Sequence, residues 1–194
     1  KQNEIKFIEG WTFAQIRKVL NEHPAIEYKS AGLSDQQILQ HIGASETAVE
    51  GIFFLDTYYS IKGSSDLDIL QRAYKTMQNH LQNYWSERVE SLPLNTPYEA
   101  LILASIIEKE TGAESDRAEI AGVFINRLRK GMKLQTDPTV IYGLGEQFDG
   151  NLRKKDLLAD QEYNTYTRAG LPPTPISLPS LASIRAALNP AETD

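Results

Sequence analysis

The sequence predicts an α+β protein, with a small α/β module over residues 1–42 and a mainly helical part over residues 43–194. Three observations predict it. Apolar residues recur at spacings of three and four along most of the chain, the one-sided stripe of helices packed on a core. Strand candidates are confined to the first third of the chain. The 194 residues, 41% hydrophobic and 24% charged, leave room for one sizeable core with a small module beside it.

Residues 5–9 (IKFIE) read as a short strand. After Gly10, Thr12 and Gln15 form a capping-box pattern, in which side chains satisfy orphan N–H groups of a first helical turn. Phe13, Ile16, Val19 and Leu20 then make the buried stripe. A second short helix starts at Ser34, with Gln37 three residues on, and buries Ile38 and Ile42. The module's sheet needs a second strand that these residues do not supply. The stretch 50–63 (EGIFFLDTYYSIKG) is bounded by Gly51 and Gly63 and reads as strand or loop. Its four aromatics in seven residues suit either core or a wall for sugar rings. From Ser65 a long amphipathic helix follows, with Leu67, Leu70, Tyr74, Met77, Leu81 and Tyr84 on one side. It packs on the domain's own core rather than in a coiled coil.

Thr96, Pro97 and Glu99 open the next helix, which runs through Glu110 and stops near Gly112. Asp116 and Glu119 open another, carrying Ile120, Phe124 and Leu128 and closing at Gly131. Turns are expected at 137–139 (DPT), 143–145 (GLG) and 149–151 (DGN), with a short helix near 153–159. The stretch 171–179 (LPPTPISLP), with four prolines in nine residues, must be extended loop. Ser180 begins a last helix that Asn189-Pro190 ends.

The net charge of −6 disfavours nucleic acid or an anionic membrane surface as partner. The cluster Arg127, Arg129, Lys130 and Lys133 reads as a solvated helix end. With no cysteine there is no disulfide, thiolate metal site or Cys nucleophile. His23, His41 and His80 have no ligand-like spacing, so no metal site is expected. No apolar run approaches the ~20 residues of a membrane span, and no signal peptide is visible. The abrupt opening on KQNEIKFIEGW suggests a soluble part of something longer.

The helix LILASIIEKE (101–110) carries two carboxylates inside its own apolar run. Its apolar residues leave no wide polar face, so it is expected to be central and buried. At 100° per residue, Glu108 falls between Ala104 and Leu101 and Glu110 between Ile106 and Leu103, about 200° apart. They cannot act as a pair on one bond. One reading is a wet last turn, although two carboxylates there oppose the helix dipole. The other is a carboxyl held at the end of a buried helix, facing a cleft. Apolar surroundings disfavour the charged form of a carboxyl, which suits a proton donor near neutral pH.

LASIIEKET, FINRLRKGMKLQTDPTVIYGLG, YNTYTRAGLPPTPI and EGIFFLDTY together resemble the MltG, or YceG-like, family of endolytic murein transglycosylases. The resemblance covers nearly the whole chain in the expected order. QTDPTVIYG with the 163–173 segment is its most specific part, and FIEGWTFAQI is similar to the family's LysM-like segment. The resemblance implies a LysM-like α/β module at 1–42 and a mainly helical, lysozyme-like catalytic domain at 43–194. It implies cleavage between N-acetylmuramic acid and N-acetylglucosamine within nascent peptidoglycan strands, leaving 1,6-anhydro ends. It puts the single catalytic acid/base on Glu108 and gives Glu110 no role. By looser analogy with other lytic transglycosylases, Gln135, Thr136, Asp137, Asn164 and Tyr166 are expected to bind sugar. No cofactor or metal is implied. Peptidoglycan glycan strands are the expected partner, with cell-wall synthases beside them. Family members carry a transmembrane helix, absent here, which implies a single-pass protein of the bacterial inner membrane with this domain on the periplasmic or extracellular side. They also continue past the NPA segment, so the catalytic domain is expected to be truncated at Asp194.

Two rivals remain open at this point. A non-catalytic glycan-binding or scaffold module would share the LysM-like start and the aromatics. A pyridoxal-phosphate lyase would need a Schiff-base lysine in a phosphate cup. Lys109 lies in the right motif, but no Gly-rich phosphate loop accompanies it.

Overall fold

A computed structural model of the chain describes residues 3–61 and 63–194. Lys1 and Gln2 of the expected module, and Lys62 of the aromatic stretch, lie outside them. The fold is α+β. The elements in order are β1 (Glu4–Lys6), α1 (Phe13–Glu22), α2 (Asp35–Ile42), β2 (Thr57–Tyr59) and α3 (Asp66–Ser86). The rest is α4 (Pro97–Glu110), α5 (Arg117–Arg129), α6 (Asp137–Leu144), α7 (Lys154–Leu158) and α8 (Leu181–Leu188).

The strand that the first 42 residues could not supply is β2. It pairs antiparallel with β1, Ile5 opposite Tyr58. The chain thus returns to its start after two helices. Both helices begin as their sequences dictate: the Gln15 carboxamide accepts the Thr12 N–H at 2.9 Å, and Gln37 does the same for Ser34 at 2.9 Å. The aromatic segment is mostly core. Phe53 stacks on Phe13 at 5.6 Å, Phe54 on His80 at 4.5 Å, and Tyr58 packs on Phe7 at 5.0 Å between ring centres. Tyr59 alone of the four is exposed.

Helix α4 is the axis of the helical part. It packs against α3, α5, α6 and α8, and every residue from Ala100 to Glu108 is buried. Its start follows the sequence, with the Thr96 hydroxyl accepting the Glu99 N–H at 3.2 Å and Pro97 in the first turn. Residues 137–139, expected as a turn, are instead the first turn of α6. Pro138 has no N–H to offer, and its fixed φ suits a helix start. The Thr139 hydroxyl donates to the Thr136 carbonyl at 2.8 Å and secures that start. The proline-rich segment 171–179 is extended, but it is tied down. Ile176 N–H donates to the Ser105 hydroxyl at 3.0 Å, and the Ser177 hydroxyl donates to the Ser105 carbonyl at 3.1 Å. Leu178 exchanges backbone bonds with the loop before α1, accepting from Gly10 at 2.8 Å and donating to Trp11 at 2.7 Å. This loop therefore stitches the N-terminal unit to α4. No helix of the described residues is long and apolar enough to cross a membrane.

Candidate active site

The two carboxylates near the end of α4 have opposite surroundings, as their angular separation requires. Glu108 lies on the buried side. One of its oxygens accepts from Arg117 Nη2 at 3.1 Å. The other accepts from Ser180 N–H at 2.6 Å and from the Ser183 hydroxyl at 3.2 Å. Arg117 is itself buried, and its Nε also donates to Ser183 at 3.1 Å. Glu108 thus ties the end of α4 to the start of α5 and sits at the N-terminus of α8, where backbone donors and the helix dipole favour a negative charge. Buried charges persist when paired and hydrogen-bonded in this way.

Glu110 is exposed at the last turn of the same helix. The Thr136 hydroxyl donates to its Oε1. Beside it, the Tyr166 hydroxyl donates to Asp137 Oδ1. Burial pushes the Tyr166 phenol up to about 12, and the bond to Asp137 and the charges of Asp137 and Glu110 push the same way. The phenol therefore stays a donor at neutral pH. The loops carrying these groups are laced together: Gln135 N–H donates to the Thr165 carbonyl at 3.2 Å, and Thr136 N–H donates to the Thr165 hydroxyl at 3.0 Å. Gln135 is held at φ +53°, a left-handed conformation unusual for a residue with a side chain, and that side chain is exposed.

Four of the five expected sugar contacts, Gln135, Thr136, Asp137 and Tyr166, thus gather beside Glu110, at the start of α6 and in the loop after α7. Glu108 does not join them, because Arg117, Ser180 and Ser183 occupy both of its oxygens. Asn164 does not present its amide beside Glu110 either. It is buried, and its Nδ2 donates to the Leu157 and Ala159 carbonyls at 3.1 and 2.7 Å while its Oδ1 accepts the Tyr166 N–H at 2.9 Å. Its amide closes the end of α7 and fixes the loop that presents Tyr166. Sequence reasoning overlooked Thr165, buried between those two residues, and Arg117. The signal for Arg117 was available: a carboxylate on a buried stripe demands a cation, and Arg117 opens the next helix.

One further carboxyl is buried away from this cluster. Glu50 accepts the Phe13 N–H at 2.8 Å and the Tyr142 hydroxyl at 3.0 Å. Burial pushes it up to about 7, against the downward pull of those two bonds. Among the described residues no group of three His, Asp or Glu side chains is placed to hold a metal ion.

A family model described as the YceG-like family matches residues 1–194. An endolytic murein transglycosylase of Bacillus subtilis (strain 168) is 41% identical over 147 residues, 75% of this chain and 40% of that protein. One from Streptococcus pneumoniae serotype 2 is 34% identical over 152 residues, 75% of this chain and 27% of that protein. The chain therefore spans well under half the length of these relatives. The crystal structure of a yceG-like protein from Listeria monocytogenes superposes with a TM-score of 0.72 at 29% identity, covering 99% of this chain and 67% of that one.

Proposed function

Because the chain belongs to the YceG-like family, we propose that it is the glycan-cleaving part of an endolytic murein transglycosylase, with Glu110 as its single acid and base. The observation that carries the assignment is the contrast within α4. Glu110 is exposed beside Thr136, Asp137 and Tyr166, whereas Glu108 is sealed into an ion pair. The substrate is peptidoglycan, cut between N-acetylmuramic acid and N-acetylglucosamine. Protonated Glu110 gives its proton to the glycosidic oxygen as the bond from C1 to that oxygen breaks, the bonding pair leaving with the oxygen. The carboxylate then takes the proton of the muramic C6 hydroxyl, whose oxygen closes on C1. One carboxyl completes the cycle, so no second carboxylate is needed to activate water, in contrast to a hydrolase. Asp137, Tyr166 and Gln135 supply hydrogen bonds to sugar hydroxyl and N-acetyl groups, and Thr136 orients the acid.

The N-terminal unit of this reading is LysM-like and extends through β2. Its strand–helix–helix–strand order supports that likeness. In the whole protein it works beside cell-wall synthases on the periplasmic or extracellular side of the inner membrane, on a single-pass anchor outside these residues.

Mass spectrometry of purified glycan strands treated with the protein tests the reading. Wild type should give 1,6-anhydromuramic ends and no reducing muramic acid. Glu110→Gln should slow cleavage by the ~10²–10⁴-fold typical of a general acid–base group. Glu108→Gln, compared per folded molecule, should lose far less. Full activity in Glu110→Gln together with loss in Glu108→Gln would return the role to Glu108. Glycan binding with no anhydro product would leave a non-catalytic binding module.

A further inference from the structure

Glu50 lies where the N-terminal unit meets α6, and the proposed cleavage step does not use it. Its two hydrogen bonds go to opposite sides: Phe13 N–H at the start of α1, and the Tyr142 hydroxyl on α6. Around this bridge the two parts of the molecule leave a groove of about 640 Å³, a size usual for small-molecule sites. Its walls are mostly apolar, from Pro138, Ile141, Tyr142 and Ile176, with the Thr12 hydroxyl and Lys109 as polar members. A second hollow of about 410 Å³ shares Glu50 and Tyr142 with it. The first groove adjoins the candidate active site through chain neighbours, since Lys109 precedes Glu110 and Pro138 follows Asp137.

We propose that this groove is a binding subsite for a neutral N-acetylhexosamine ring of the same glycan strand, with Glu50 as the positioning residue that pins its two walls together. The inference rests on the glycan-cleaving reading of the site. The lining argues for this occupant. Tyr142 and the aliphatic side chains offer flat apolar surface to a pyranose face. Lys109 and Thr12 offer donors to hydroxyl and acetyl oxygens, and among the described residues the Lys109 ammonium has only a long contact, to the Gly10 carbonyl at 3.5 Å. The charges are mixed, with Lys109 against Glu146, so neither a strong anion nor a strong cation is favoured.

The test separates binding from cleavage. The probe is the hexasaccharide of β-1,4-linked N-acetylglucosamine, titrated into the Glu110→Gln protein and followed by NMR and calorimetry. Resonances of Thr12, Ala14 and Ile141 should shift on titration. Ala14 is exposed and lines the groove, so Ala14→Trp should fold and fill it. That variant should weaken hexasaccharide binding at least tenfold and, with Glu110 restored, raise KM for long glycan strands with little change in kcat. Glu50→Ala should weaken binding, while Glu50→Gln, which keeps an acceptor for Tyr142, should recover most of it. Undisturbed groove resonances, or unchanged affinity and KM in Ala14→Trp, overturn the subsite even if glycan is cleaved elsewhere on the protein. Binding in the groove without any cleavage by wild type would leave the subsite standing and remove the proposed activity instead.

Discussion

Glu108 takes hydrogen bonds from a guanidinium, a backbone N–H and a hydroxyl, and only the guanidinium carries compensating charge. Arg117→Met should therefore strand a buried carboxylate and lower stability by about 3–5 kcal/mol, measured by urea denaturation. The double change Glu108→Gln with Arg117→Met should recover much of that loss, because no lone charge then remains. The same pair of residues explains what was and was not legible beforehand. The helical wheel separated Glu108 from Glu110 correctly, since that angle follows from backbone geometry alone. Which side would face the ligand did not follow. Burial reads as the mark of a proton donor, whereas under the proposed assignment burial beside an arginine and a helix N-terminus is the mark of a structural ion pair. Asn164 repeats the lesson. Its chemistry suits a sugar, yet a buried amide flanked by the carbonyls at the end of α7 finds partners there first.

Among the elements, the helices with caps at both ends were readable to within a residue or two, because Ser and Thr caps act locally. Helix α6 was not: Asp-Pro-Thr starts turns and helices alike, and the choice came from Thr165 contacts to Thr136 and Thr139 made from far away in sequence. The stretch holding β2 stayed open between strand and loop for the same reason, since three residues pair only because β1 lies beside them. The extended loop 171–179 shows how tertiary contacts order a segment without regular structure. Gly51 lies against it at φ +76°, and a Cβ there would fall 2.3 Å from Pro175 Cβ and 2.9 Å from the Ser177 carbonyl oxygen. Gly51→Ala combines backbone strain with a collision against a rigid ring, so it should cost at least ~2 kcal/mol. A chemical-denaturation series would show it, and a loss below ~0.5 kcal/mol would mean that the loop yields easily.

At the scale of the molecule, Glu50 links folding to pH. Its carboxyl is pushed up to about 7 from an ordinary value of 4.5, so the folded chain keeps a proton that the unfolded chain has released. Its contribution to stability is full below pH 4.5 and is lost as pH rises through about 7, a span of about 3 kcal/mol. Denaturation midpoints should fall between pH 5 and pH 8, and Glu50→Gln should flatten that fall. A second whole-molecule consequence concerns α4, whose residues from Ala100 to Glu108 are all buried among four other helices. Its amide protons can meet solvent only when those helices separate, which amounts to global unfolding. Deuterium should therefore enter α4 last, at a rate set by overall stability, and sooner in the loops around Gln135 and Tyr166, which lie outside that packing. Adding glycan to the Glu110→Gln protein should slow exchange in those two loops well beyond the uniform slowing seen across α4. The proposed acid would then sit at the boundary between the slowest-exchanging segment of the chain and two loops that open more readily, its backbone set by the one and its access to ligand by the other.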